Sequence, residues 1–94
     1  MHIFIMLNKY LAEFLGTLFF VYIILATGNA IAIGAAMAIV AMIAGTISGA
    51  HINPAVSVAM VAAGKLSSSD VLPYILAQIA GGMVALELFK RVKL

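Results

Sequence analysis

Ser48-Gly49-Ala50-His51-Ile52-Asn53-Pro54-Ala55-Val56-Ser57-Val58-Ala59 lies between two long apolar runs, and its reading decides the fold. Asn53 followed by Pro54 marks a helix start. An asparagine side-chain oxygen can accept a first-turn N–H, and proline is favoured one place later, where no N–H is needed. The apolar pattern from Pro54 runs to Ala63, where Gly64 can close it. Ten helical residues give ~15 Å, about half of a ~30 Å hydrocarbon core. Such a helix reaches the middle of a membrane without crossing it. Its N-terminus carries unpaired N–H groups and partial positive charge, which is tolerated at that depth only where it lines a wet cavity.

The rest of the chain supplies the membrane. Of 94 residues, 66% are hydrophobic and 9% charged, and the mean hydropathy is +1.26. A water-exposed domain of this size cannot hide that much apolar surface. The formal charge of +2 is too small to argue for nucleic acid, and the absence of cysteine leaves the redox compartment unread. The run from Phe14 to Ala26 has the length of a signal-peptide core. Only Lys9 is basic ahead of it and a second apolar segment follows at once, so a retained first span is expected.

Three spans are predicted, at about 9–26, 31–47 and 69–89, with the re-entrant loop and half-helix at 49–63. The fold class is therefore an all-α membrane protein with three transmembrane helices and one re-entrant half-helix. Glu13 sits inside the first span, where a carboxylate must face protein or water. It either snorkels beside Lys9 (i, i+4) or turns inward as an acceptor for loop N–H groups. Thr27-Gly28-Asn29-Ala30 reads as an uncharged turn. Ala41, Gly45 and Gly49 share one face of the second span, as Ala77, Gly81 and Ala85 do on the third, and both stripes predict close helix packing. Ser68 or Ser69 is expected to cap the third span, with Asp70 at its positive end and Pro73 in its first turn. Tyr74 is read as an interfacial anchor. Glu87 falls within reach of Lys90 or Arg91.

The twelve residues 48–59 resemble the first signature loop of the major intrinsic protein family, the aquaporins and aquaglyceroporins. Ala-Glu-Phe-Leu-Gly-Thr at 12–17 is similar to that family's first helix, and Ala-Gln-x-x-Gly around Gln78 to its third. The resemblance covers about Lys9 to Leu88 but only one of the family's two inverted repeats. It implies a channel rather than an enzyme, with no cofactor. Asn53, Pro54 and Ala55 form the pore motif, and the carbonyls of Gly49, Ala50, His51 and Ile52 form a row of acceptors. Glu13 and Gln78 brace the loop. The constriction falls at Ile33, Ala41 and Val56, and Val56 stands where the second family motif is followed by an arginine. His51 is open to two readings, a titrating gate or a packed loop residue.

One such repeat cannot enclose a pore. Two function classes follow. In the first, the chain is a channel subunit for water or small neutral solutes such as glycerol, in a lipid bilayer, completed by an inverted copy of itself or by a second half-repeat chain. In the second, it is a non-conducting fragment or structural subunit that needs a different partner. An inverted pair requires insertion both ways. Lys9 and Lys65 fall on one side of the membrane and Lys90, Arg91 and Lys93 on the other, a near balance that sets little orientation. Both termini are therefore expected on both sides.

Overall fold

The computed structural model describes residues 2–92; Lys93, one of the basic residues expected on the far side of the membrane, lies outside them. Four helices follow in order: α1 (His2–Thr27), α2 (Ala30–Ser48), α3 (Pro54–Ala62) and α4 (Ser68–Arg91). The long ones, α1, α2 and α4, are each long and apolar enough to cross a membrane. The long axis of the molecule is 38 Å, more than the ~30 Å of hydrocarbon. The chain is an integral membrane protein.

α1 is the central element. It packs against α4 on one side and α2 on the other, while α3 rests on α4; among the described residues α2 and α3 do not pack on each other. Leu7, Leu11, Leu15 and Phe19 run down the exposed side of α1 at four-residue spacing, and Leu72, Leu76, Ile79 and Met83 are exposed along α4. The buried positions hold Glu13, Thr17, Ser48, His51, Ser57, Asp70 and Gln78 beside Val40, Ala44 and Ile52. Apolar side chains face out and polar ones face in. Lipid accepts the first, and internal hydrogen bonding satisfies most of the second.

The caps explain the element ends. Asn29 caps α2, its Oδ1 accepting the Ala32 N–H at 2.9 Å. Ser67, one residue before the expected serines, caps α4. Its Oγ accepts from the Ser69 N–H at 3.4 Å and pairs with Ser69 Oγ at 2.9 Å. α3 stops at Ala62, one residue short of expectation, and the chain reverses through Gly64 and Lys65, whose N–H groups reach Val61 and Met60 carbonyls. Pro73 lies in the second turn of α4 rather than the first. There its missing N–H leaves the Ser69 carbonyl without a helical partner.

Two packing expectations differ in outcome. On the third span the stripe does turn inward: Gly81 lies against the backbone of α1, Ala85 is buried and Ala77 half-buried. Ala41 and Gly45 do not pack within the chain: both are exposed, and a Cβ on Gly45 would meet nothing. The buried stripe of α2 is Ala36, Val40, Ala44 and Ser48, one position round the helix. At the far end, Tyr22 Oη donates to the Val92 carbonyl at 3.0 Å and its ring meets Phe89 edge-on. Glu87 pairs with both Lys90, at 3.8 Å, and Arg91, at 3.7 Å. These exposed pairs contribute little to stability.

Candidate functional site

The site is the loop between α2 and α3. α2 ends at Gly49, whose φ of 88° is open to glycine and strained for other residues. Ala50 (φ 50°) and Ile52 (φ 61°) also adopt left-handed backbone. For a β-branched residue that conformation costs roughly 1–3 kcal/mol and persists only when its surroundings over-determine it. Here they do. The Ile52 side chain is buried with Val40 and Ala44, against Ala12 and Phe20, and its N–H is held by Glu13.

Glu13 is fully buried in α1, and all four of its hydrogen bonds come from donors. Oε2 accepts from Ser48 Oγ at 2.7 Å and from the His51 N–H at 3.0 Å. Oε1 accepts from the Ile52 N–H at 2.8 Å and from Gln78 Nε2 at 2.8 Å. Gln78 Nε2 also donates to Ser57 Oγ at 3.0 Å, tying α4 to the first turn of α3. Of the two readings of Glu13, the geometry gives the inward acceptor. Lys9 turns away from it to Asp70, 2.6 Å distant on α4.

The loop is polarised as a result. The N–H of Gly49 goes to the Gly45 carbonyl, that of Ala50 to Ser48 Oγ, and those of His51 and Ile52 to Glu13. Among the described residues, none of the carbonyl oxygens of Gly49, Ala50, His51 and Ile52 accepts a protein hydrogen bond. Every donor is used and every acceptor is left over. Unpaired carbonyls at membrane depth need a wet lining.

Asn53 ends this row. Its Oδ1 accepts the Ala55 N–H at 2.8 Å, capping α3, and the residue is exposed. The amide nitrogen makes no protein hydrogen bond among the described residues and keeps two protons to donate. Asn53, Pro54 and Ile52 line a groove of about 540 Å³ with Thr17, Gln78 and Gly82. On its walls, Thr17 Oγ1 and Gln78 Oε1 are buried without a partner among the described residues. His51 is buried, its Nδ1 sharing a hydrogen bond with Ser57 Oγ at 2.9 Å. That is the packed-loop arrangement.

Other expected residues stand apart. Ile33 is half-buried on α2, Ala41 exposed on the same helix, and Val56 exposed on α3. Since α2 and α3 do not touch, one chain does not bring these three together. Tyr74 is the residue that sequence reading misplaced. It is 2% exposed, not an interfacial anchor. Its Oη donates to the Ser48 carbonyl at 2.7 Å, and its ring tilts against His51. Among the described residues no three His, Cys, Asp or Glu side chains cluster as metal ligands.

The family profile described as "MIP: Major intrinsic protein" matches residues 2–93. The chain belongs to the major intrinsic protein family. It is 41% identical to the glycerol uptake facilitator protein-like 6 of Lactiplantibacillus plantarum, over 84% of this chain and 41% of that protein. It is 40% identical to aquaporin Z of Brucella melitensis biotype 1, over 85% of this chain and 42% of that protein. With the glycerol uptake facilitator protein of Streptococcus pneumoniae the identity is 35%, over 84% and 41%. The chain spans about two-fifths of the length of the curated relatives it matches. In this chain the loop of 49–53 brings free acceptors and a free amide donor together among the described residues.

Proposed function

We propose that the chain supplies one half of a channel through which water or small neutral solutes cross a lipid bilayer passively. The carrying observation is the loop's division of labour. The Gly45 carbonyl, Ser48 and Glu13 take its N–H groups, four successive carbonyls stay free, and a free amide follows at Asn53. A passing water or alcohol would give its hydrogens to the carbonyls and take one from Asn53 Nδ2. The positive end of α3 disfavours cations at the same point. The names of the relatives, aquaporin Z and glycerol uptake facilitator, agree with this reading.

One repeat presents one half-helix, so the pore needs a second half. An inverted copy of this chain would place two Asn53 amides and two α3 ends face to face. A separate half-repeat would do the same. Inverted repeats meeting at a midplane site are a recurrent way to build transport paths. Exposure of the Ala41 and Gly45 face suits this reading, because it leaves a small-residue surface for another half to approach.

Asn53→Asp tests the site. An ionised carboxylate still caps α3 but has no proton to donate. Stopped-flow swelling of proteoliposomes should show a loss of about tenfold in water flux, the equivalent of ~1.4 kcal/mol, with insertion unchanged. Unchanged flux in the inserted variant rules out a pore role for Asn53.

The constriction gives a second expectation. In an inverted pair, Ile33 of one copy would approach Val56 and Ala41 of the other, an apolar ring with no arginine. Such a ring penalises a polyol less than a charged one does. Glycerol-sized solutes should therefore pass. Vesicles that swell in water but exclude glycerol, urea and ammonia alike would reject this assignment of the ring.

A further inference from the structure

We infer that Tyr74 is a positioning residue for the row of loop carbonyls, held in place by the Lys9–Asp70 ion pair at the membrane face. The inference rests on the channel reading for its consequence, though not for its geometry. A continued α2 would have aimed the Ile52 N–H at the Ser48 carbonyl, but that N–H is given to Glu13. The Ser48 carbonyl is therefore an orphan of the helix end, and Tyr74 Oη replaces the missing donor at 2.7 Å. Ser48 directly precedes Gly49, where the free carbonyls begin. Glu13 fixes the loop from α1, and Tyr74 fixes its start from α4. The Tyr74 ring also lies 5.1 Å from that of His51, two residues into the row.

Tyr74 is itself buttressed. Tyr10 packs edge-on against it, ring centroids 5.9 Å apart. Tyr10 Oη donates to Asp70 Oδ1 at 2.6 Å, and Lys9 Nζ reaches Oδ2 at 2.6 Å. Lys9 is the more exposed partner, with 24% of its side chain open against 9% for Asp70. The contacts thus run without a break from a half-buried ion pair at the start of α4, through two aromatic rings, to the first backbone oxygen of the site.

The experiment compares wild type with Tyr74→Phe, which keeps the ring and removes the donor. Hydrogen exchange in detergent micelles reads the Ala50, His51 and Ile52 amides. They should exchange about tenfold faster in the variant, equivalent to ~1.4 kcal/mol. Reconstituted flux is read over temperature. A merely structural loss leaves fewer folded channels and an unchanged temperature dependence, whereas displaced carbonyls steepen it. Tyr10→Phe keeps the Ser48 contact and cuts the buttress, so about a threefold acceleration of the same amides is expected. Unaltered loop exchange in Tyr74→Phe overturns the inference. If that variant loses its helicity, Tyr10→Phe decides in the same way. If the wild type conducts nothing on its own, pairing of the chain with itself is ruled out, and loop exchange alone still decides whether Tyr74 positions the loop.

Discussion

Replacing Glu13 by leucine should abolish flux and unfold the α2–α3 loop. Four donors converge on this one carboxylate: Ser48 Oγ, the His51 and Ile52 N–H groups, and Gln78 Nε2. Leucine fills the space and accepts nothing. A buried donor left unpaired costs ~1–3 kcal/mol. Ser48 Oγ can fall back on the Ala44 carbonyl, 3.4 Å away, but the other three approach ~3 kcal/mol even at the low end, against a total stability of ~5–15 kcal/mol. Ile52 adds to the loss, because its left-handed backbone is held partly by the bond to Oε1. Released, it returns to extended backbone and carries the free carbonyls with it. Glu13→Gln separates shape from chemistry. The amide keeps one acceptor oxygen and turns two protons toward two donors, so it should recover little. Two measurements check this: proteoliposome flux, and hydrogen exchange at His51 and Ile52. If either variant keeps slow exchange at these amides, Glu13 does not hold the loop.

The residues differ in how far the sequence disclosed them. Asn53 and Pro54 were legible because a cap is local: the side chain bonds an N–H two residues away. The three long helices were legible because apolar length alone defines them. Glu13 was only half legible. Its spacing to Lys9 allowed a surface pair, and resemblance was needed to turn it inward. The structure shows why spacing misled, since Lys9 finds Asp70, 61 residues away. Tyr74 was illegible for a related reason. An aromatic near the start of a span looks like an interfacial anchor, and no local signal reveals an orphan carbonyl on another helix. The Ala41 and Gly45 stripe shows the opposite limit. Small residues state that something can approach closely, but not whether it belongs to the same chain.

The two adjacent glycines of α4 give the second large effect, and opposite outcomes are expected. At Gly81 an added Cβ would lie 2.4 Å from the Phe14 carbonyl oxygen and 3.2 Å from the Leu18 nitrogen. Both are backbone atoms of α1, so no rotamer change can make room. The helices must separate. Overpacking of this kind typically costs ~1–3 kcal/mol, and here the displacement reaches the site. Gln78 lies one turn before Gly81 and Glu13 directly before Phe14, and their 2.8 Å bond joins the same two helices. At Gly82 the nearest atom to an added Cβ is Val21 Cγ2, at 3.8 Å, an ordinary contact. There alanine should be neutral or stabilising, because it lowers the entropy lost by a helical glycine, by ~0.5–1 kcal/mol. Gly81→Ala should therefore unfold at clearly lower denaturant in mixed micelles than wild type, and Gly82→Ala at equal or higher. Circular dichroism of the two variants is sufficient. Equal tolerance at both positions would mean that α1 and α4 do not meet at Gly81. Their closest approach would then lie elsewhere, and the joint bracing of the loop by Glu13 and Gln78 would lose its support.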